Sequence, residues 1–233
     1  MVMAAGFGKR LRPFTNTLPK PMVPVLGRPM IDGVLDRLAA AGVERVVINL
    51  HHLGEVIRDH LTGRTDLDIA FSDESEILET GGGIKKALPL LGGDPFFVIN
   101  AKIIWLNGKE DALHRLANAY DVERMDTLIL LQPTVTAIGY DGPGDFLMDQ
   151  KGRLKRRPEW GVAPFLNSGI YICHPRLFDE SPDGAYSINL LWDRAIDQER
   201  LYGIRHDGEW YHVSTPQHLK EVERVLTFHG IKF

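Results

Sequence analysis

Gly6 and Gly8, the cations Lys9, Arg10 and Arg12 just after them, and Lys20 between Pro19 and Pro21 are the densest concentration of potential chemistry in the chain. Glycines let a backbone come close to an anion, and successive N–H groups can form a concave nest around it. The neighbouring cations would neutralise phosphate charge. The spacing fits neither the dinucleotide fingerprint nor the Walker loop, which closes on Gly-Lys-Ser/Thr. On its own a G-x-G is a weak signal. Followed by Pro-Lys-Pro at the start of an α/β pattern, it points to a phosphate-binding loop.

The elements that must position this loop can be read from periodicity. Strands are predicted over residues 2–5, 45–50, 67–71, 96–100 and 127–131, alternating with helices over 30–41, 53–61, 83–91 and 111–120. Gly42 ends the first helix. Runs such as Val46-Val47-Ile48 are apolar on both faces. They predict a Rossmann-like α/β fold with a mainly parallel central sheet covered by helices on both sides. Ligands of such sheets sit outside the carboxyl ends of the strands, which places Gly6, Asn100 and the residues after Leu50 on one edge. Beyond residue 132 the pattern changes. A hairpin is expected around residues 149–152, flanked by strands over 145–148 and 153–157, then a strand over 165–173 and a helix over 189–198. Short strands follow over 201–205 and 209–213, and a closing helix runs from Pro216 to about Phe228 with Thr215 as its N-cap. No linker, repeat or low-complexity stretch is visible. The expected organisation is one domain over 1–233, with a first half over 1–132 and a smaller second lobe over 133–233.

Composition narrows the class. At 233 residues, with 44% hydrophobic and 25% charged residues, the chain has the make-up of an ordinary globular protein. A net charge of −4 argues against a general nucleic-acid surface. The single cysteine, Cys173, excludes an intrachain disulfide, fits a reducing compartment and reads as a core thiol. No apolar run is long enough to span a bilayer, and no secretory signal is read at the start, so a cytoplasmic location without membrane attachment is expected. Oligomeric state is left open.

The opening motif resembles the signature of sugar-1-phosphate nucleotidyltransferases, Ala-Ala-Gly-x-Gly-x-Arg-Leu followed by Pro-Lys-Pro. The likeness continues through Pro21-Met22-Val23-Pro24-Val25 with Gly27-Arg28-Pro29, through Leu-Glu-Thr-Gly-Gly-Gly-Ile at 78–84, and through Trp-Tyr-His-Val-Ser-Thr-Pro at 210–216. It spans essentially the whole chain and is similar to the short, single-module form. Within the family, the Glu-Thr-Gly-Gly-Gly variant, the length and the pair His51-His52 look most like N-acetylmuramate-1-phosphate uridylyltransferases of peptidoglycan recycling. Mannose-1-phosphate guanylyltransferases are the rival assignment.

The resemblance implies that a sugar-1-phosphate oxygen attacks the α-phosphorus of a nucleoside triphosphate and releases pyrophosphate. Arg10 is then assigned to the triphosphate and Lys20 to the phosphates of the reacting pair. Backbone groups of Ala4, Ala5, Gly6 and Gly8 line the nucleotide, with Glu79 and Gly82 near base and ribose and Asn100 also nucleotide-binding, so that 1–132 is mainly the nucleotide-binding half and 133–233 mainly the sugar-binding lobe. Gly139, Asn167 and Arg157 fall on the sugar side. For Asn167 a simple turn competes equally. For Arg157 the competing reading is a solvated hairpin with Lys151, Arg153, Lys155 and Arg156. His51 and His52 could touch the base or serve as surface or capping groups. His206, His212 and His218 lack the spacing and cysteine company of a zinc site.

Two positions depart from the family. It places an Asp two residues after the Asn that ends the fourth strand, and another in Trp-x-Asp-Val-Gly, and these hold Mg²⁺. Here Lys102 and His212 occupy those positions, and Ser214 replaces the usual glycine. Lysine cannot ligate Mg²⁺, and histidine is a poor ligand for so hard a cation. The metal ligands are therefore unknown from sequence. Lys102 could supply charge in place of the metal, Mg²⁺ could ride on the nucleotide with other ligands, or catalysis could be lost in favour of a regulatory nucleotide-sugar-binding protein. A surface lysine is the plain alternative.

Overall fold

The computed structural model describes residues 1–231. Its central sheet has seven main strands: β1 (Val2–Met3), β2 (Arg45–Leu50), β3 (Asp68–Asp73), β4 (Phe96–Asn100), β5 (Thr127–Pro133), β6 (Phe165–Cys173) and β7 (Leu201–Arg205). They lie in the order β3-β2-β1-β4-β6-β5-β7. Pairing is parallel except where β6 runs against both β4 and β5. The sheet is thus mainly parallel, as its apolar strands predict. Strands β6 and β7 come from the second half of the chain, so both halves share one sheet and the division near residue 132 is not a structural boundary.

Alternation along the strands separates two layers. Val46, Ile48 and Leu50 of β2, with Ile99, Leu128, Leu130, Ile170 and Ile172, pack against helices α1 (Met30–Ala40), α2 (Gly54–Leu61) and α4 (Ala112–Ala119). Val47, Val98, Ile129, Leu131 and Tyr171 face the other way, onto α3 (Glu79–Leu91) and α5 (Asn189–Asp197). Cys173 lies fully buried in this second layer, where burial raises its thiol pKa, in keeping with a core role. A third cluster forms under α6 (Pro216–Phe228), around Leu11, Ile104, Tyr211, Val213 and Leu219. Thr215 caps α6, its Oγ1 accepting from His218 N at 3.2 Å.

Three features differ from expectation for identifiable reasons. Helix α3 starts at Glu79, not at residue 83, and takes the three glycines into its first turns. They serve close packing: a Cβ at Gly82 would stand 2.1 Å from Gly184 O, and one at Gly83 would stand 2.7 Å from Glu74 Oε1. A small separate sheet joins Ile103–Leu106, Glu209–His212 and Ala137–Ile138, of which only the second was foreseen as a strand. Strand β1 is two residues long, so Ala4 and Ala5 already belong to the loop.

Candidate active site

A cleft of about 600 Å³ opens at the carboxyl edge of β1, β2 and β4. The first loop forms its floor: Ala4, Ala5, Gly6, Gly8 and Arg10 all line it. Gly8 is needed here for two reasons. Its φ is +62°, and a Cβ would sit 2.9 Å from Thr15 Cγ2 and 3.0 Å from Lys20 Cβ. Its carbonyl accepts from Leu11 N at 2.8 Å and Thr15 Oγ1 at 2.9 Å, which fixes the turn leading to Arg10. At Gly6 no protein atom lies within 4 Å of where a Cβ would stand, so a ligand can approach that backbone directly.

The other wall comes from three elements. Lys20 leaves a single turn held by Met22 N to Pro19 O, 2.8 Å. Asn100 ends β4 and Lys102 follows it, and Glu79 and Thr80 open α3. Glu79 adopts the left-handed conformation, φ 57°, uncommon for a residue with a side chain. Gly169 (φ +81°) passes so close to Asn100 that a Cβ would lie 2.5 Å from its Nδ2.

Electrostatically the cleft is one-sided. Among the described residues, Arg10, Lys20 and Lys102 have no carboxylate within 4 Å and no side-chain hydrogen bond. Lys20 is only 8% exposed. Burial, then the charges of Lys102 and Arg10, hold its pKa down at about 7. Lys102 is lowered likewise, by burial and then Arg10. His212 pairs in register with Ile103, next to Lys102. Burial, followed by Lys102, Lys20, Arg10 and His218, pushes it down to about 3, so it is neutral at physiological pH. Cations packed together without counter-ions make a site that a multiply charged anion would relieve.

A buried polar pair that sequence reasoning missed supports this floor. Asn49 Oδ1 accepts from Ala4 N at 2.7 Å, and its Nδ2 donates to Glu74 Oε1 at 2.7 Å. Glu74 Oε2 accepts from Leu78 N at 2.9 Å, just before α3. The two side chains, 1% and 5% exposed, tie the loop to the start of the helix across the cleft. The available signal was Asn49 itself, a polar residue inside Val46-Val47-Ile48-Asn49-Leu50.

The chain matches the nucleotidyl transferase family model over residues 1–227. It is 40% identical over 222 residues to the N-acetylmuramate alpha-1-phosphate uridylyltransferase of Caulobacter vibrioides, covering 93% of this chain and 92% of that protein. It is 33% identical over 236 residues to the enzyme of the same name from Neisseria meningitidis, covering 97% and 96%. The chain belongs to the nucleotidyl transferase family. A solved UDP-glucose pyrophosphorylase complexed with UDP-glucose shares the fold, at TM-score 0.80 and 18% identity over 98% of this chain and 97% of that one.

Within this nucleotidyltransferase, nine expected site residues come together: Ala4, Ala5, Gly6, Gly8, Arg10, Lys20, Glu79, Asn100 and, at the doubtful metal position, Lys102. Gly82 is not among the lining residues, because it faces Gly184. Asn167 closes a local turn, its Oδ1 accepting from Gly169 N at 2.9 Å. Gly139 (φ +76°) packs on the His212 carbonyl, which a Cβ would approach to 2.2 Å. Arg157 spends its guanidinium on the carbonyls of Gly144, Pro158, Glu159 and Gly161, at 2.8–3.1 Å, and so braces its own loop. His51 Nδ1 lies 2.8 Å from Glu74 O, and its ring meets Phe7 edge-on.

The family resemblance implies Mg²⁺, but the groups present do not fit it. The expected carboxylate positions carry an ammonium and an imidazole beside two more cations. Of the two carboxylates lining the cleft, Glu74 already has both oxygens engaged, which leaves Glu79, and among the described residues no three His, Cys, Asp or Glu side chains gather where they could hold an ion. Such a donor set suits phosphate oxygens, not a hard cation.

Proposed function

We propose that the chain transfers the uridylyl group of UTP to a sugar-1-phosphate, with N-acetylmuramate-1-phosphate the favoured acceptor, and works in the cytoplasm on cell-wall sugars. The observation that carries this reading is the unpartnered cation cluster on a Gly-x-Gly floor, in a chain similar along its length to two uridylyltransferases of that specificity. An acceptor phosphate oxygen attacks the α-phosphorus, the bond to the bridging oxygen breaks, and pyrophosphate leaves. Such a transfer needs in-line positioning and charge neutralisation. The planar fork of Arg10 can hold oxygens of the α-phosphate and the departing pyrophosphate together. Lys20 neutralises the reacting pair. The backbone from Ala4 to Gly8 follows the nucleotide, while Glu79 and Asn100 border base and ribose. Asn167 and Gly139 shape the sugar side, and Arg157 acts by bracing its loop.

Product analysis tests the assignment. Incubation with UTP and N-acetylmuramate-1-phosphate should yield UDP-N-acetylmuramate by mass spectrometry, and UTP should outcompete GTP for the free protein. Formation of GDP-mannose from GTP and mannose-1-phosphate, without the uridine product, would overturn the substrate assignment.

A further inference from the structure

Lys102 is the one group in the cleft whose chemistry runs against the metal chemistry that the resemblance implies. It sits two residues beyond the end of β4, where Ala101 N donates to Met3 O at 3.1 Å and so fixes the chain beside the phosphate loop. His212, which pairs across the small sheet with Ile103 beside it, is neutral and adds no charge of its own. Lys9, Arg10, Lys20 and Lys102 therefore supply the positive charge of the cleft, and among the described residues Arg10, Lys20 and Lys102 have no carboxylate within 4 Å.

We infer that Lys102, together with Arg10 and Lys20, binds the phosphates of UTP and the sugar-1-phosphate directly, as an ammonium clamp in place of a protein-held divalent cation. The inference rests on the uridylyltransferase reading and deepens it. A metal bridges phosphate oxygens and draws off developing negative charge. An ammonium can do the same through up to three N–H donors, provided that it is held in place and shielded from water. Lys20 is buried and Lys102 partly so, which draws both away from water, and burial lowers the pKa of each. Bound phosphates favour the protonated form of Lys102, which acts as an ammonium. The bond formed joins the acceptor oxygen to the α-phosphorus, and the electron pair of the broken bond leaves on pyrophosphate.

The test is equilibrium binding of UTP to the full chain by calorimetry, in EDTA and in Mg²⁺, for wild type, Lys102→Gln and Lys102→Arg. Wild type should bind UTP in EDTA with an affinity within a few-fold of its value in Mg²⁺. Lys102→Gln should weaken binding in EDTA by about tenfold or more, the loss of one charge-assisted contact, and Lys102→Arg should restore most of it. In a separate titration, Mn²⁺ alone should not bind wild type, as judged by water-proton relaxation. Loss of wild-type binding in EDTA, equal binding by Lys102→Gln, or stoichiometric uptake of Mn²⁺ without nucleotide would each overturn the inference and leave the nucleotidyltransferase reading standing. Failure of wild type to bind UTP with or without Mg²⁺ would overturn both. If Lys102→Gln does not fold, the wild-type comparison and the Mn²⁺ titration still decide.

Discussion

The groups that do the work here are cations kept partly out of water. Lys20, with a pKa near 7, is largely neutral in the free protein at pH 8. A bound triphosphate favours the ammonium, so binding at that pH should take up close to one proton. Calorimetry in two buffers of different ionisation enthalpy measures this, and an observed enthalpy independent of buffer would contradict it. The same depression bears on stability. Between about pH 7 and 10.5 the unfolded chain binds the lysine proton more tightly than the folded one, so the free protein should gain stability as pH rises through that window. His212 acts in the acid range, with a folded pKa near 3 against 6.5. The unfolded state holds the extra proton between those values, so stability should fall on acidification from pH 6.5 towards 3. Denaturant melts of wild type and His212→Gln check this, the variant showing the shallower slope. Removing the charge of Lys20 with Lys20→Met should lower turnover by about a hundredfold or more, since a charge-stabilising donor of the transition state is lost.

At the scale of elements, α3 and the first loop are tied together by the Asn49–Glu74 pair, and Gly83 of α3 makes room for it. Gly83→Ala would place a Cβ 2.7 Å from Glu74 Oε1 and 3.1 Å from Asn49 Nδ2. Overpacking there should cost roughly 1–3 kcal/mol, more than the gain in helix propensity, and should raise the KM for UTP. Thermal melts and steady-state kinetics read both, and an unchanged or higher melting temperature would argue against it. This pair also shows where the sequence stopped being informative. Strands 45–50 and 96–100 and the capped helix α6 could be read from periodicity, because local spacing determines them. The loop cations and Asn100 could be read from their motifs. The link from Asn49 to Glu74, 25 residues on, depends on the parallel pairing of β2 with β3 and has no local signature. The small sheet was hidden for the same reason: Ile103–Leu106 finds its partner a hundred residues away, at Glu209–His212. Arg157 looked free in a basic run, yet only the folded loop shows that its Nε and Nη1 are already used.

Over the whole molecule, the sheet shared by both halves and the small sheet at the cleft act as one frame. Trp210 is buried between them, and its Nε1 donates to Ser168 O at 2.9 Å, next to the bulge in β6 that brings Gly169 against Asn100. The second half of the chain is therefore tied to Asn100 at the cleft through backbone packing. Among the described residues no helix is long and apolar enough to cross a membrane, and the cleft at the carboxyl edge of β1, β2 and β4 is the candidate site. The most direct test of its role is the initial rate of pyrophosphate release by the wild-type protein with UTP and N-acetylmuramate-1-phosphate. Saturable release in equal amount to UDP-sugar formed is the predicted result. No release above the enzyme-free blank, with this acceptor or any other sugar-1-phosphate, would contradict the account.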